Sequence, residues 1–175
     1  MKTRIGIAAV LAVLVAAAVW VAVKVAPSVP LPQNAVAERI LVEKSQQRMT
    51  LFSNGKPLKT YVVALGKGEP GKKARRGDLL TPVGNYSIRG RNPQSAAHLS
   101  LWISYPNEDD TARASARGVS PGSFIMIHGI MNGYGWVGGF HRFMNWTAGC
   151  VAVTNSEMDE IWRAVPDGTP VEIVP

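Results

Sequence analysis

The feature that most restricts what this chain can fold into is an uninterrupted apolar run, Ile5 to Val23, 19 residues without a charge, preceded by Lys2 and Arg4. Helical at about 1.5 Å per residue, such a run nearly reaches across a hydrocarbon core. A cleavable export signal has a shorter apolar stretch, about 7–15 residues, closed by small residues at the cut. Here Val23-Lys24-Val25-Ala26-Pro27 follows, a poor cleavage site. Residues 1–26 are therefore expected to be a transmembrane signal anchor, with removal after export as the alternative. The early positive charges hold the N-terminus in the cytoplasm and send the rest across. The expected location is the inner membrane, with the domain in the periplasm. No cysteine directly follows the run, which excludes a lipid anchor at that point.

Beyond the run, Pro27-Ser28-Val29-Pro30-Leu31-Pro32 reads as a stiff extended tether over 27–37, leaving one globular domain at 38–175. The formal charge of +7 falls to +4 on the exported part once Lys2, Arg4 and Lys24 are set aside. That balance suits an anionic polymer or a membrane surface. Nucleic acid is not an expected partner, because export carries the domain away from it.

Strand signals dominate residues 38–128. Arg39 to Lys44 and Arg48 to Phe52 are short β-type runs, and Asn54-Gly55 is a strong hairpin signal before a returning strand, Leu58 to Leu65. Lys67 to Gly77, rich in Gly, Lys and Arg, reads as a mobile surface loop with solvated charges. Thr81 to Ile88 is a turn leading into a strand. Leu99 to Ser104 alternates as a half-buried strand does, with His98 opening it in a structural role. Asn107 to Gly122 is expected to be an exposed excursion, and Ser123 to Ile127 an apolar strand that delivers His128 at its end. After residue 153 the period changes. Thr154 and Glu157 fit a capping box, and Met158, Ile161, Trp162 and Val165 recur at helical spacing. Pro166-Asp167-Gly168 ends that helix, and Thr169 to Val174 is a closing strand. The fold class is mainly β with a C-terminal helix, a sandwich or a partly closed barrel.

Cys150 is the only cysteine, and His128 and His141 both lie within 22 positions of it. A thiol attacks well only as a thiolate, which a neighbouring imidazole generates. Gly149 before it leaves room for a carbonyl to approach backbone N–H groups. With one cysteine no internal disulfide forms, and in an oxidising compartment an unpaired thiol is either accidental, intermolecular or reactive, which adds modestly to the catalytic reading. The alternative is a small buried hydrophobe. Neither a metal-ligand spacing nor a phosphate-cradling motif is present, so no metal or cofactor is expected. Between the histidines and the thiol, Asn132 to Trp146 carries Tyr134, Trp136, Phe140, Phe143 and Trp146, with five glycines from Gly129 to Gly139. Two readings stand: a hinged aromatic lid over the thiol, or a loop packed on the domain.

Gly77-Asp78, then Thr81-Pro82-Val83-Gly84-Asn85-Tyr86, then Ile127-His128-Gly129, then Thr147-Ala148-Gly149-Cys150 resemble the L,D-transpeptidases of the YkuD type, in a subgroup with a long His-to-Cys loop. The resemblance runs from about residue 38 to 175. It implies a β-sandwich catalytic domain acting on peptidoglycan stem peptides. Cys150 would be the nucleophile that cleaves the diamino acid–D-Ala bond of a tetrapeptide stem, and His128 its general base. The Gly129 carbonyl would hold the His128 ring, and the N–H groups of Gly149 and Cys150 would form the oxyanion hole. The acyl group would pass to an amine, either a second stem or a lipoprotein lysine. Two departures bear on this. Ala148 stands where many members have His, so the base falls to His128, with His141 the alternative. Ala152 stands where an Arg is common, which leaves the substrate carboxylate to Arg89, Arg91 or Arg142; Trp136 and Trp146 are further substrate-contact candidates. Two other readings share these residues: a hydrolase that gives the same acyl-enzyme to water, and a non-catalytic peptidoglycan-binding module.

Overall fold

The computed structural model describes the backbone of residues 2–25, 29–69 and 71–175 and, within the N-terminal helix, the side chains of residues 11–19, 21, 22 and 25. The apolar run forms helix α1, Lys2–Val25. Among the described residues no helix is long and apolar enough to cross a membrane. The expected tether is only partly free. Leu31 is 5% exposed and belongs to the main core cluster, and the Ala37 N–H donates to the Ala164 carbonyl. The reason is hydrophobic: an apolar side chain between two prolines has a core surface within reach and leaves water for it.

Eight strands follow: β1 Arg39–Glu43, β2 Arg48–Ser53, β3 Lys56–Val62, β4 Gly84–Ser95, β5 His98–Ile103, β6 Met126–His128, β7 Val151–Ala152 and β8 Pro170–Val174. They form one ladder in the order β3-β2-β1-β8-β4-β5-β6-β7. β4 is the hinge of the ladder. Its first residues, Gly84 to Ser87, pair with β8, and from Ile88 onward it pairs with β5 across a register shift between Ile88 and Gly90. Such irregularities bend a strand and let one sheet fold back over a single core. Ile40, Val42 and Ile173 from one half and Leu101, Ile127 and Val151 from the other are at most 1% exposed and join in one cluster. Bridges from Ala64 to Ala152 and from Gly66 to Thr147 bring the two ends of the ladder together. The sandwich is thus one sheet, bent at β4 and tied at its edges.

β8 closes the chain in the middle of the ladder, parallel to β1 and antiparallel to β4. Helix α3, Asn155–Ala164, starts at the Thr154–Glu157 capping box and buries Met158, Ile161 and Ala164. Two elements differ from the sequence expectation. The polar excursion contains helix α2, Glu108–Ser115, whose own capping box joins Asn107 and Asp110. Its polar composition conceals a helix held mainly by its cap and by Asp110, which accepts from Tyr86 Oη at 2.8 Å. In addition, Ser123 to Ile125 is not strand: Phe124 has φ +61°, which breaks the ladder before Met126.

Docking of the tether can be checked by denaturation. Leu31→Ala should lower unfolding free energy by roughly 2–5 kcal/mol, as other buried leucine truncations do. Val29→Ala, at a side chain 85% exposed, should leave it unchanged. Equal urea midpoints for Leu31→Ala and wild type would show the tether to be free.

Candidate active site

The short strands β6 and β7 pair in parallel, Ile127 with Val151 and His128 with Ala152. Side chains alternate across a strand, so Ile127 and Val151, both fully buried, share the core face. His128 and the residue just before β7, Cys150, therefore belong to the opposite face, on neighbouring strands and two positions apart in register. Both are nearly buried, at 6% and 9% exposure.

His128 Nδ1 lies 2.6 Å from the Gly129 carbonyl oxygen. A carbonyl only accepts, so Nδ1 carries the proton, and in the neutral ring Nε2 keeps a bare lone pair. Burial lowers the pKa of this imidazole below its ordinary value, with the Gly129 bond opposing. Burial pushes the Cys150 thiol up, opposed by a backbone hydrogen bond from Met126 and by the charge of Lys73. The resting pair is thus a neutral thiol and a neutral base. At rest the thiol donates to the Phe124 carbonyl at 3.6 Å.

The turn that carries Cys150 is held from several sides. Thr147 Oγ1 donates to the Cys150 carbonyl at 2.8 Å and accepts from the Gly149 N–H at 3.1 Å. The Gly149 N–H is therefore committed inside the turn, whereas the Cys150 N–H has no such bond there. Gly149 has φ +124°, and a Cβ at that position would lie 2.7 Å from the Leu80 carbonyl oxygen. Gly66 is tighter still: its Cβ would meet the Leu79 oxygen at 2.2 Å and the Gly149 Cα at 3.0 Å.

Leu79 and Leu80, which press on this turn, follow the segment Lys67 to Gly77 read as a surface loop; Lys67, Lys72, Arg75 and Arg76 are exposed as that reading expects, and Lys73 departs from it. Lys73 is buried and paired with Asp78 at 2.6 Å, their side chains 4% and 11% exposed. Asp78 also accepts from the N–H groups of Ala74, Arg75 and Leu80. Burial raises the Asp78 pKa, but Lys73 and these N–H groups outweigh it and hold the carboxyl below its ordinary value. A cation and carboxylate that satisfy each other can be buried where either alone could not. A cleft of about 530 Å³ runs along the far side of this segment, lined by Lys44, Gly66, Leu80 and Thr81 among others, and includes neither Cys150 nor His128.

The aromatic insert forms a 3-10 segment, Gly135–Phe143, two turns joined at Gly138. Its inner side is packed on the domain: Gly139, His141 and Arg142 are buried, and Arg142 pairs with Glu157 at the start of α3. Trp146 meets the His128 and His141 rings edge-on, at centroid distances of 5.7 and 6.3 Å. His141 Nδ1 accepts from Trp146 Nε1 at 3.3 Å. Burial, with smaller effects from the Arg142 and His128 charges, pushes the His141 pKa down to about 4.

The arginines divide. Arg142 is buried against Glu157, and Arg91 is tied to Asp167 and to the carbonyls of Trp162 and Val165 at the end of α3. Arg89 is exposed. Trp136 stands 82% exposed. His98 pairs with Asp159 of α3 at 2.7 Å, away from the thiol. Two contributors escaped the sequence reading, Phe124 and Lys73, which reach the site through tertiary folding; Thr147 stood in the Thr147-Ala148-Gly149-Cys150 motif without a role of its own.

Fold and site together define a class of domain, mainly β, with a thiol and an imidazole of fixed tautomer on one sheet face. The chain belongs to the L,D-transpeptidase catalytic domain family (YkuD), whose model matches residues 37–173. YafK of Escherichia coli K12 is 30% identical over 110 residues, 62% of this chain and 37% of that protein. The helical cell shape determining protein Pgp2 of Campylobacter jejuni shares the fold with TM-score 0.58 at 23% identity, over 88% of this chain and 53% of its own. An L,D-transpeptidase from Xylanimonas cellulosilytica does so with TM-score 0.53 at 18% identity, over 84% of this chain and 65% of its own. The chain thus spans little more than a third of the curated relative.

Two outcomes are expected. Because the folded pKa values of His128 and His141 are depressed, the unfolded chain binds more protons below about pH 6.5. Stability should fall as pH drops from about 6.5 towards 4, with a shallower slope in His141→Gln; urea midpoints across that range check it, and a flat wild-type profile contradicts it. Gly66→Ala should cost more than ~1 kcal/mol and slow alkylation of Cys150, because the added methyl pushes backbone against the turn that carries Cys150. Wild-type labelling and stability in this variant would refute that packing role.

Proposed function

We propose that this protein is a peptidoglycan L,D-transpeptidase working by cysteine acyl transfer. Membership of the family supports it, and the observation that carries it is the His128 tautomer, with Nδ1 tied to Gly129 and a base nitrogen left for the thiol on its own sheet face. A tetrapeptide stem binds with its diamino acid–D-Ala carbonyl at Cys150. The thiol leaves the Phe124 carbonyl, Nε2 of His128 takes its proton, and sulfur attacks. The Cys150 N–H faces the developing oxyanion, and the Gly149 N–H joins only by giving up Thr147 Oγ1. His128 then protonates the departing D-Ala amine, leaving a thioester. An acceptor amine, from a second stem or a lipoprotein lysine, attacks with His128 again as base. Water in place of the amine gives the hydrolase outcome.

Starting from two neutral partners suits this chemistry. Attack creates an imidazolium and an oxyanion from uncharged groups in a poorly solvated site, where fixed N–H dipoles act strongly. In this proposal α1 is the membrane anchor and the domain works in the periplasm; the 19-residue apolar run behind Lys2 and Arg4 supports that placement.

The test incubates the full chain in detergent with tetrapeptide muropeptides and follows D-Ala release and dimers by mass spectrometry. Loss of D-Ala is expected in wild type and its absence in Cys150→Ala. His128→Gln should reduce kcat/KM by about 10²–10⁴-fold. Turnover by Cys150→Ala would overturn the assignment. Product analysis with and without an added amine assigns the acceptor.

A further inference from the structure

Beyond residue 28, eleven large apolar side chains of the described residues are exposed, and six of them lie between Met131 and Met144. Trp136 is 82% exposed, Met144 68%, Tyr134 61% and Phe140 59%. Single exposed apolar residues need no explanation, but a concentration of this kind marks a contact surface. The patch is also firmly backed, because the buried Arg142–Glu157 pair fixes the segment to α3. Phe140 and Phe143 stack at 5.9 Å beside an apolar groove of about 340 Å³ that extends to Trp146.

The neighbour of this patch says what covers it. Helix α1 packs against the 3-10 segment, and its last residue, Val25, lines a cleft together with Gly135, Gly138 and Gly139. The described side chains of α1 are apolar and, apart from half-buried Val25, exposed, among them Leu11, Val13, Leu14, Val15 and Val19. A helix apolar all round is at home in lipid. From residue 129 to 146 there is no Asp or Glu, so no carboxylate in the segment repels anionic headgroups. Trp and Tyr, with apolar rings and one polar atom, prefer the membrane–water boundary.

We propose that the aromatic segment from Met131 to Met144 rests in the interfacial layer of the phospholipid bilayer that α1 enters. The inference depends on α1 being a membrane anchor. The segment then acts as a second foot, holding the domain at a fixed height, and Trp146 joins that foot to the His128 ring. The catalytic face is thereby oriented relative to the membrane surface.

The experiment uses the full chain reconstituted in vesicles of phosphatidylethanolamine and phosphatidylglycerol. Alkaline carbonate extraction first reports whether the chain is anchored. Fluorescence is then compared between plain vesicles and vesicles brominated near the top of their acyl chains, using Trp20→Phe to remove the reporter in the anchor. Bromines should quench part of the emission, and that part should vanish in Trp20→Phe/Trp136→Phe, an exposed site where folding is not at stake. A carbonate-resistant chain whose Trp136 emission ignores the bromines overturns the proposal while the anchor stands. So does Trp136 emission that responds only to added muropeptide, the signature of a substrate-facing lid. A chain extracted by carbonate removes the anchor and this proposal together.

Discussion

The parallel pairing of β6 with β7 is the constraint on which the rest of the site depends. It is only two residue pairs long, yet its register decides that His128 and Cys150 emerge on one face. A slip of one residue would turn one of them into the core, because strand side chains alternate. So short a pair could not hold register alone. The Val153 N–H donates to the His128 carbonyl, the Ala64 bridge grips Ala152 from the other side, and Ile127 and Val151 anchor the pair in the core. Closure of the bent sheet and placement of the chemistry are therefore one event.

Around that pair the protein uses backbone more than side chains. The Gly129 carbonyl sets the imidazole tautomer, the Phe124 carbonyl receives the thiol, and the carbonyls of Leu79 and Leu80 press on Gly66 and Gly149. These groups are already oriented by the folded backbone, which in the proposed mechanism leaves little to reorganise when charge develops. Burial holds thiol and imidazole neutral, and the charge of Lys73, which favours the thiolate, is offset by Asp78. In the proposed mechanism, activation is thus left to the moment of proton transfer, since no standing thiolate waits in the resting site.

Much of this was legible in the sequence, and where it was not, the reasons are physical. Local signals worked well: the Asn54-Gly55 turn, the Thr154–Glu157 cap and the helical period through Met158 and Ile161 each act within a few residues. Polar segments misled. Lys67 to Gly77 resembles a solvated loop because nothing nearby in sequence shows that Lys73 will be buried against Asp78. Helix α2 was hidden because its stability lies in the Asn107–Asp110 cap and the tertiary bond to Tyr86, not in an apolar stripe. Phe124 reads as a strand residue by composition, and only the folded chain gives it a positive φ. The arginines expected for a substrate carboxylate are the instructive case: Arg91 and Arg142 are charged in sequence but committed in the fold to the end of α3 and to Glu157.

The central claim is that a neutral His128, fixed by Gly129, is what makes Cys150 reactive. Acylation of Cys150 by a carbapenem, followed by intact mass against pH in wild type and His128→Gln, tests it most directly. The account predicts a wild-type rate that rises through an inflection below pH 6.5, where the imidazole loses its proton, and then levels. In His128→Gln that plateau should disappear, leaving only a slow reaction that grows as the thiol itself ionises above pH 9.0. Equal rates in the two proteins across neutral pH would contradict it.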